Sequence, residues 1–417
     1  MSRAGSGQSF ARRWIADPPL VLTAAALSIF GVAMIYSAGV LVRPRADVEG
    51  AWLRQGIWLG ISAGAFLLLT RVRLRWFEWA AIPAFVLTIV LLASTLVVGT
   101  GAGTAAGTKS WISLGPLSLQ PAELAKIATV LMLARYLAGR EGPPGSMHEL
   151  LAPAAIVGLP LVLVMLQPDL GTAMAFVGIL FAMLYWAGTP VGLLLLVMSP
   201  LPALILSYDT RIWSGYIVCL VLVLYLYRYR LFLYESIAVV FANLAAGTIA
   251  RPLWNSLRPY QQNRFLVYLN PEVDPRDAGY NLIQSKVAIG SGGIGGKGFT
   301  EGSQKALNFL PEQHTDFIFS VVGEEFGFVG VALTLLAFAF LLYRLIRLAE
   351  RARDPFAGLV LFGILGAWIT HIFVNVGMTV GVVPITGIPL PFLSYGGTFL
   401  VVSWAAVAIG ARLAHEE

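Results

Sequence analysis

The sequence predicts an all-α polytopic membrane protein of about twelve transmembrane helices, and three observations predict it. Hydrophobic residues make up 58% of the chain and charged residues 12%, about half the charge of a soluble protein. The apolar residues gather in runs near or above the roughly 17 residues that a helix needs to cross hydrocarbon. The polar residues fall between those runs, in turns and in one long stretch at 258–316. Each spanning run must be a helix, because an open strand in lipid leaves backbone groups without partners.

Nine runs precede the long polar stretch, at 19–39, 56–70, 77–98, 121–137, 150–166, 170–187, 191–207, 213–227 and 231–254. Three follow it, at 317–345, 356–376 and 396–413. Residues 1–417 read as a single integral membrane domain. The N-terminal segment is polar and basic, and the run after it is long enough to span, unlike a cleaved signal peptide. The lone Cys219 lies inside an apolar run and reads as a small packed hydrophobe; it allows no disulfide within the chain.

Lys and Arg in short loops set the orientation of such a protein. One set of alternate loops holds Arg3, Arg12 and Arg13, then Arg71, Arg73 and Arg75, then Arg135 and Arg140. It continues with Arg228 and Arg230, then Arg344, Arg347, Arg351 and Arg353, and ends near Arg412. The opposite loops hold little beyond Arg43, Arg45, Arg54, Lys109 and Arg211. Both termini are therefore expected in the cytoplasm, with 99–120, 167–169, 258–316 and 377–395 outside. The net charge of +6 reports this orientation and gives no reason to expect nucleic-acid binding.

The 258–316 stretch holds the acids Glu272, Asp274, Asp277, Glu301, Glu312 and Asp316. It also holds Arg258, Arg264, Arg276, Lys286, Lys297, Lys305 and His314. An excursion of this length between spans is either a binding and catalytic loop or a linker. Its aromatic, Leu and Ile content is not linker composition, which favours the loop.

The other outward segments carry chemistry as well. The 99–120 segment is Gly- and Thr-rich, then amphipathic around Trp111. QPAELAK at 120–126 opens a helix with Pro121 in its first turn, and Glu123 and Lys126 share one face. That pair is either a structural salt bridge or, being ionisable at membrane depth, part of a functional site. In QPDLGT, Asp169 stands at a helix start, as a cap or as a functional acid. Pro384, Pro389 and Pro391 make 377–395 irregular, a backbone tolerated in a membrane only where it lines a cavity or is buried. His371 and Asn375, four apart, read as interhelical hydrogen-bonding partners. The glycines of GSGGIGGKG could form a nest for phosphate oxygens, although the run lacks a Walker ending. His314 and Asp316 could cap the helix that follows them. Of Glu324 and Glu325, one is expected to face a polar cavity.

Five motifs then occur in order across residues 109–398: QPAELAK, QPDLGTA, LNPEVDPRDAGYNLIQSKVAIGSGGIGGKG, FLPEQHTDFIFSVVGEEFGFVG and TGIPLPFLSYGGT. Together they resemble the signatures of the shape, elongation, division and sporulation (SEDS) family. NPEVDP, QSK and TGIPLPF resemble its elongation branch, RodA, more than the division branch, FtsW. The resemblance implies a peptidoglycan glycosyltransferase of the bacterial cell membrane, working with the elongation machinery. Its substrate would be lipid II, a disaccharide-pentapeptide on undecaprenyl diphosphate. Its partner would be a class B penicillin-binding protein, the transpeptidase that makes the cross-links.

By the same resemblance Asp274 is the essential acid. Arg264, Lys286, Lys297, His314 and Asp316 fall on the motifs' other polar positions. Lys109, Trp111, Glu123, Lys126, Asp169, Ser394 and Tyr395 complete the expected substrate- and diphosphate-binding set. Two departures stand out. Ser110-Trp111 replaces the family's usual Arg-Trp, where Lys109 would bring charge without a guanidinium fork; Ala122 replaces the serine of QPSE. Family members normally have ten spans, so 191–254 reads as containing an added two-span hairpin, which keeps 258–316 outside.

Polymerising lipid II means displacing a diphosphate from an anomeric carbon with a sugar hydroxyl. A positioned carboxylate helps as the hydroxyl proton leaves, the role expected of Asp274. Fixed cations stabilise the departing diphosphate, with Arg264, Lys286 and Lys297 expected first, then Lys109 and Lys126. No metal ligands are assigned, although a divalent cation, Mg2+ or Mn2+, would suit the diphosphate through waters and one or two carboxylates. Two other functions compete. A lipid II flippase or transporter would fit the broken helices and buried charge, and a non-enzymatic scaffold would serve to recruit the transpeptidase.

Overall fold

The structure is a computed structural model that describes residues 17–413 apart from 43–47, 102–108, 115–116, 228–231, 258, 271–277, 308 and 311. Asp274 therefore lies outside the described residues, as do Glu272, Arg276, Asp277, Arg258 and the arginines Arg3, Arg12, Arg13, Arg43, Arg45, Arg228 and Arg230.

The helices before the polar stretch are α1 (Pro18–Ala38), α2 (Ala51–Leu69), α3 (Leu74–Val98), α4 (Pro121–Ala138), α5 (Leu151–Leu166), α6 (Leu170–Trp186), α7 (Val191–Met198), α8 (Pro200–Leu206), α9 (Thr210–Tyr227) and α10 (Leu233–Ser256). A short antiparallel hairpin, β1 (Ile112–Leu114) with β2 (Leu117–Leu119), precedes α4. The polar stretch contributes α11 (Pro259–Leu269), α12 (Ala278–Ser291) and α13 (Ser303–Ala306). The chain ends in α14 (Ile318–Arg351), α15 (Pro355–Val380) and α16 (Gly397–Leu413).

All twelve apolar runs are helical. Among the described residues, seven helices of at least 18 residues are long and apolar enough to cross a membrane, and shorter apolar helices stand beside them. Helix α4 falls outside both groups because it carries Glu123, Lys126 and Arg135. Protein covers it: α4 packs against α3, α5, α6, α15 and α16, and most of its residues are buried. The 191–207 run is helical as expected, with its hydrogen-bond ladder interrupted between α7 and α8 while Ser199 keeps helical geometry. Pro200 has no N–H to continue α7, and the hydroxyl of Tyr216 donates to the Ser199 carbonyl at 2.6 Å. Cys219 is exposed on α9, not packed inside as the sequence suggested.

Helix α15 is the central post, buried along most of its length and packed against α4, α6, α12, α14 and α16. Its closest neighbour is α6, and small residues set the spacing. A Cβ on Gly366 would lie 2.6 Å from the Gly178 carbonyl oxygen. Helices in lipid associate through such close backbone approach, since lipid tails are as apolar as leucine.

The glycine-rich segment after α12 does something other than bind phosphate. Helix α14 is broken at Gly327, whose φ of 60° and ψ of −157° interrupt the hydrogen-bond ladder. Residues 292–298 plug the gap. Lys297 N–H donates to the Glu324 carbonyl at 3.1 Å and Gly298 N–H to the Glu325 carbonyl at 3.0 Å. In return the N–H groups of Phe328 and Val329 donate to the carbonyls of Gly293 and Ile294 at 2.9 and 3.1 Å. A broken helix in a membrane persists only when its freed backbone groups are re-satisfied by protein, and here the plug supplies the partners. The expected phosphate nest is corrected accordingly: the N–H groups of Lys297 and Gly298 are engaged by α14, and those of Gly292, Gly293 and Gly296 by carbonyls of Ile289, Gly290 and Gly292.

The plug has no room for a side chain. Gly296 has φ of 82°, and a Cβ there would overlap the Glu325 carbonyl. Gly296→Ala is expected to cost about 1–3 kcal/mol of stability, from left-handed strain and displacement of the plug. Thermal unfolding in detergent checks this, and an unchanged midpoint would refute the plug's close fit.

Candidate active site

The polar groups that the sequence singled out meet where the N-termini of α4 and α6, the 381–396 segment and residues 312–317 come together. Asp169 is the N-cap of α6 and accepts from Thr172 N–H at 3.0 Å and from the Thr172 hydroxyl at 2.8 Å. Capping is thus one of its jobs. Its second oxygen also accepts from Gln120 Nε2 at 3.2 Å, which ties the start of α6 to the start of α4.

One turn into α4, Lys126 lies 3.0 and 2.8 Å from the two carboxylate oxygens of Glu123. Both residues are almost fully buried. Lys126 Nζ is also 2.7 Å from His371 Nε2, and 5.2 Å from the centre of the Phe399 ring. These groups line a small pocket whose remaining walls, Val130, Ile364, Trp368 and Val402 among them, are apolar. A cation is therefore held at the head of a greasy pocket.

Asp316 stands at the other end of the cluster. Its backbone carbonyl accepts from Asn375 Nδ2 at 2.9 Å, and its carboxylate lies against Gly387, where a Cβ would be 3.1 Å from Oδ2. Burial pushes the Asp316 carboxyl up to about 7; Glu312 adds to the rise, Arg264 opposes it, and Asp169 adds a smaller rise. Folded Asp316 keeps its proton to higher pH than the ordinary aspartate value of 3.8. The folded state therefore binds more protons between roughly pH 4 and 7, so this group makes stability fall as pH rises through that window. Asp316→Asn removes that slope. Relative to the variant, wild type is expected to lose at least about 2 °C in unfolding midpoint between pH 5 and pH 8, read by thermal unfolding in detergent.

The residues beside Asp316 hold the segment in place. The Ser394 hydroxyl donates to the Thr315 carbonyl at 2.7 Å and accepts from Leu390 N–H at 2.8 Å. Ser394 is 2% exposed, so it clips two segments together rather than offering itself to substrate. Tyr395 N–H donates to the His314 carbonyl at 2.9 Å, and the two rings lie 5.5 Å apart. Neither His314 nor Asp316 caps α14; the N-cap is Phe317, without a side-chain bond.

Other expected site residues are placed elsewhere. Lys109 is exposed ahead of the β-hairpin, and Trp111 pairs with Thr100 through its backbone. Lys286 lies over Gly381 at the C-terminus of α15, where a Cβ would meet its Nζ at 2.5 Å. Lys297 donates to Glu324 at 2.7 Å and to the Ser303 hydroxyl at 2.8 Å.

Glu324 and Glu325 correct the expectation that one of them faces a cavity. Both are buried and each takes a lysine from the polar stretch. Glu324 accepts from Lys297 and also from Gln304 N–H at 2.9 Å. Glu325 pairs with Lys305 and accepts from the Ser37 hydroxyl at 2.6 Å. Lys305 in turn donates to the Ser37 carbonyl at 2.8 Å, and Gln313 Nε2 donates to the Ala38 carbonyl at 2.7 Å. The C-terminus of α1 is thereby fastened to the segment that carries Asp316. Sequence reasoning gave Lys305 no role beyond its place in the polar stretch; the signal was two adjacent acids in an apolar run, each of which needs a partner. Among the described residues, no three His, Cys, Asp or Glu side chains gather as a metal-ligand set.

Comparison with known proteins gives a consistent result. The FtsW/RodA/SpoVE family model, described as "Cell cycle protein", matches residues 19–417. The chain is 35% identical to peptidoglycan glycosyltransferase RodA of Treponema pallidum (strain Nichols), over 94% of this chain and 95% of that one. It is 33% identical to peptidoglycan glycosyltransferase MrdB of Escherichia coli (strain K12), over 94% and 92%. The fold is similar to a chain of the solved structure "Structural coordination of polymerization and crosslinking by a peptidoglycan synthase complex", with TM-score 0.70 and 30% identity, covering 96% of this chain and 98% of that one. It is also similar to the crystal structure of the rod shape determining protein RodA of Thermus thermophilus, with TM-score 0.62 and 27% identity, covering 96% and 97%.

Proposed function

The chain belongs to the FtsW/RodA/SpoVE family, and from that premise we propose how its site polymerises lipid II into glycan strands. It is a multi-pass membrane protein and a peptidoglycan glycosyltransferase. The observation that carries the mechanistic reading is the row of charged groups at one end of α15, with Arg264 acting on Asp316 and Lys126 held by Glu123. Such a row offers fixed cations for a diphosphate and carboxylates for a proton.

In this reading Lys126 and Arg264 bind the departing diphosphate, where a preorganised cation in a dry site is worth far more than in water. Asp274 takes the proton from the attacking sugar hydroxyl. Asp316, titrating near neutrality, accepts or returns a proton at the site. Lys297, engaged by Glu324, and Ser394, engaged by Thr315 and Leu390, belong to the frame rather than to the substrate. Lys286, Lys109 and Trp111 act at the margin of the site. His314 and Tyr395 act as a ring pair that shapes its rim.

The arginine-rich loops support cytoplasmic termini and an extracytoplasmic site. The partner is a class B penicillin-binding protein, and the role is cell elongation. Labelled lipid II incubated with the purified protein and that partner, then run on a gel, tests the proposal. Long glycan strands are expected. No strands, with both proteins folded and lipid II instead crossing vesicle membranes, would overturn it in favour of transport.

A further inference from the structure

His371 is a buried titratable group to which the mechanism above gives no part. It is 1% exposed on the central helix α15, and its ring stacks on Phe399 with centroids 4.9 Å apart. Its two nitrogens are both engaged, one by Lys126 Nζ at 2.7 Å and the other by the Pro389 carbonyl at 2.9 Å. The tautomer follows. An ammonium only donates, so Nε2 must accept from Lys126; a carbonyl only accepts, so Nδ1 must carry the proton and donate to Pro389. The ring is neutral and fixed at both ends.

The carbonyl that orients it is itself held. Pro389 lies in the irregular 384–391 segment, and its neighbour Ile388 has its carbonyl bonded by Asn375 Nδ2 at 2.7 Å, from the same face of α15. Lys126 has a flexible four-carbon stem, and left to itself would settle wholly onto Glu123, whose carboxylate neutralises it. The neutral imidazole takes one N–H without adding charge. Glu123 takes another, which leaves the ammonium a third donor for a ligand oxygen.

We propose that His371 is a positioning residue of the polymerisation site, holding Lys126 in the orientation in which it meets the diphosphate and linking that orientation to the 384–391 segment. This rests on the reading of Lys126 as a diphosphate ligand. It gives the TGIPLPF motif a physical role, since the motif supplies a carbonyl outside any helix ladder, placed to set one histidine tautomer.

The test uses the full chain with its transpeptidase partner and labelled lipid II. His371→Phe keeps a ring on Phe399 and removes both hydrogen bonds. Its kcat is expected to fall about 10- to 100-fold, the scale of a misplaced reacting group, while KM and the unfolding midpoint move little. His371→Gln, whose amide can accept from Lys126 and donate to Pro389, should recover to within about threefold of wild type. Lys126→Met alone should fall about 100-fold or more, and adding His371→Phe to it should change nothing further, because coupled residues are not additive. Independent losses that multiply would overturn the proposal, as would a Gln variant no better than Phe. Should the single Phe variant fail to fold, His371→Met beside His371→Gln carries the same comparison, since both flexible chains fill the ring's place and only Gln restores the two hydrogen bonds. A Lys126→Met enzyme with wild-type rate would instead refute the diphosphate reading, whereas an impaired Lys126→Met with a normal His371→Phe refutes only the positioning role.

Discussion

Asp274→Asn is expected to lower glycan-strand synthesis from lipid II by about 10²- to 10⁴-fold, the usual contribution of a positioned general base. Asparagine has nearly the shape of aspartate and can still hydrogen-bond the attacking hydroxyl, but it cannot take a proton at any accessible pH. Substrate binding and association with the transpeptidase should therefore survive, and the loss should fall on kcat. Gel analysis of strands at saturating lipid II, wild type beside variant, reads it directly. The informative comparison is Asp316→Asn. Asp316 has its carboxyl raised to about 7 by burial, which is the range where a proton acceptor works best at neutral pH. If the Asp274 variant remains active and the Asp316 variant is dead, the base is Asp316 and the role assigned to Asp274 is wrong.

Lys305→Met is expected to cost about 3–5 kcal/mol of stability, because it strands a buried carboxylate. Glu325 is 0% exposed and Lys305 1% exposed. Burial pushes the Lys305 ammonium below its usual range, and Glu325 and Glu324 oppose that shift. Removing the lysine leaves Glu325 facing only the Ser37 hydroxyl, at 2.6 Å. It also takes the donor from the Ser37 carbonyl at the end of α1. A buried ion pair is weak evidence of net stabilisation, however, since both charges had to be desolvated to make it. The double variant Lys305→Met/Glu325→Gln should therefore regain most of the loss. Unfolding midpoints of the two single variants and the double variant in detergent decide the matter. A double variant no better than Lys305→Met would mean that the loss comes from displaced packing around α1, not from the uncompensated charge.

How far the chain could be read without its fold differs from residue to residue. The helices were legible because lipid leaves the backbone no other way to satisfy itself, and run length does the rest. Glu123 and Lys126 could be paired on paper, since three residues apart on a helix are neighbours by geometry; they lie 2.8 Å apart. The cap at Asp169 was legible for the same local reason. Position 200 marked where the hydrogen-bond ladder of the 191–207 run is interrupted, since proline has no N–H to give.

Contacts between residues distant in sequence were another matter. Nothing local says that Lys297 and Lys305 turn back onto two consecutive acids of α14, or that residues 292–298 fill a break in that helix. The same glycines could equally have cradled a phosphate, because a run of N–H groups suits any carbonyl or oxyanion that comes within reach. Ser394 looked like a ligand-binding hydroxyl and is a clip between Thr315 and Leu390. His371 was legible as a hydrogen-bonding residue, but its partner on α4 lies 245 positions away. By itself, then, the sequence determined that this is a helical membrane protein of one family, since run length and motif are written in short-range pattern. Only the tertiary structure decided which charges are engaged with one another. Desolvation makes every buried charge seek a partner, and the packing of helices far apart in sequence settles which partner it finds.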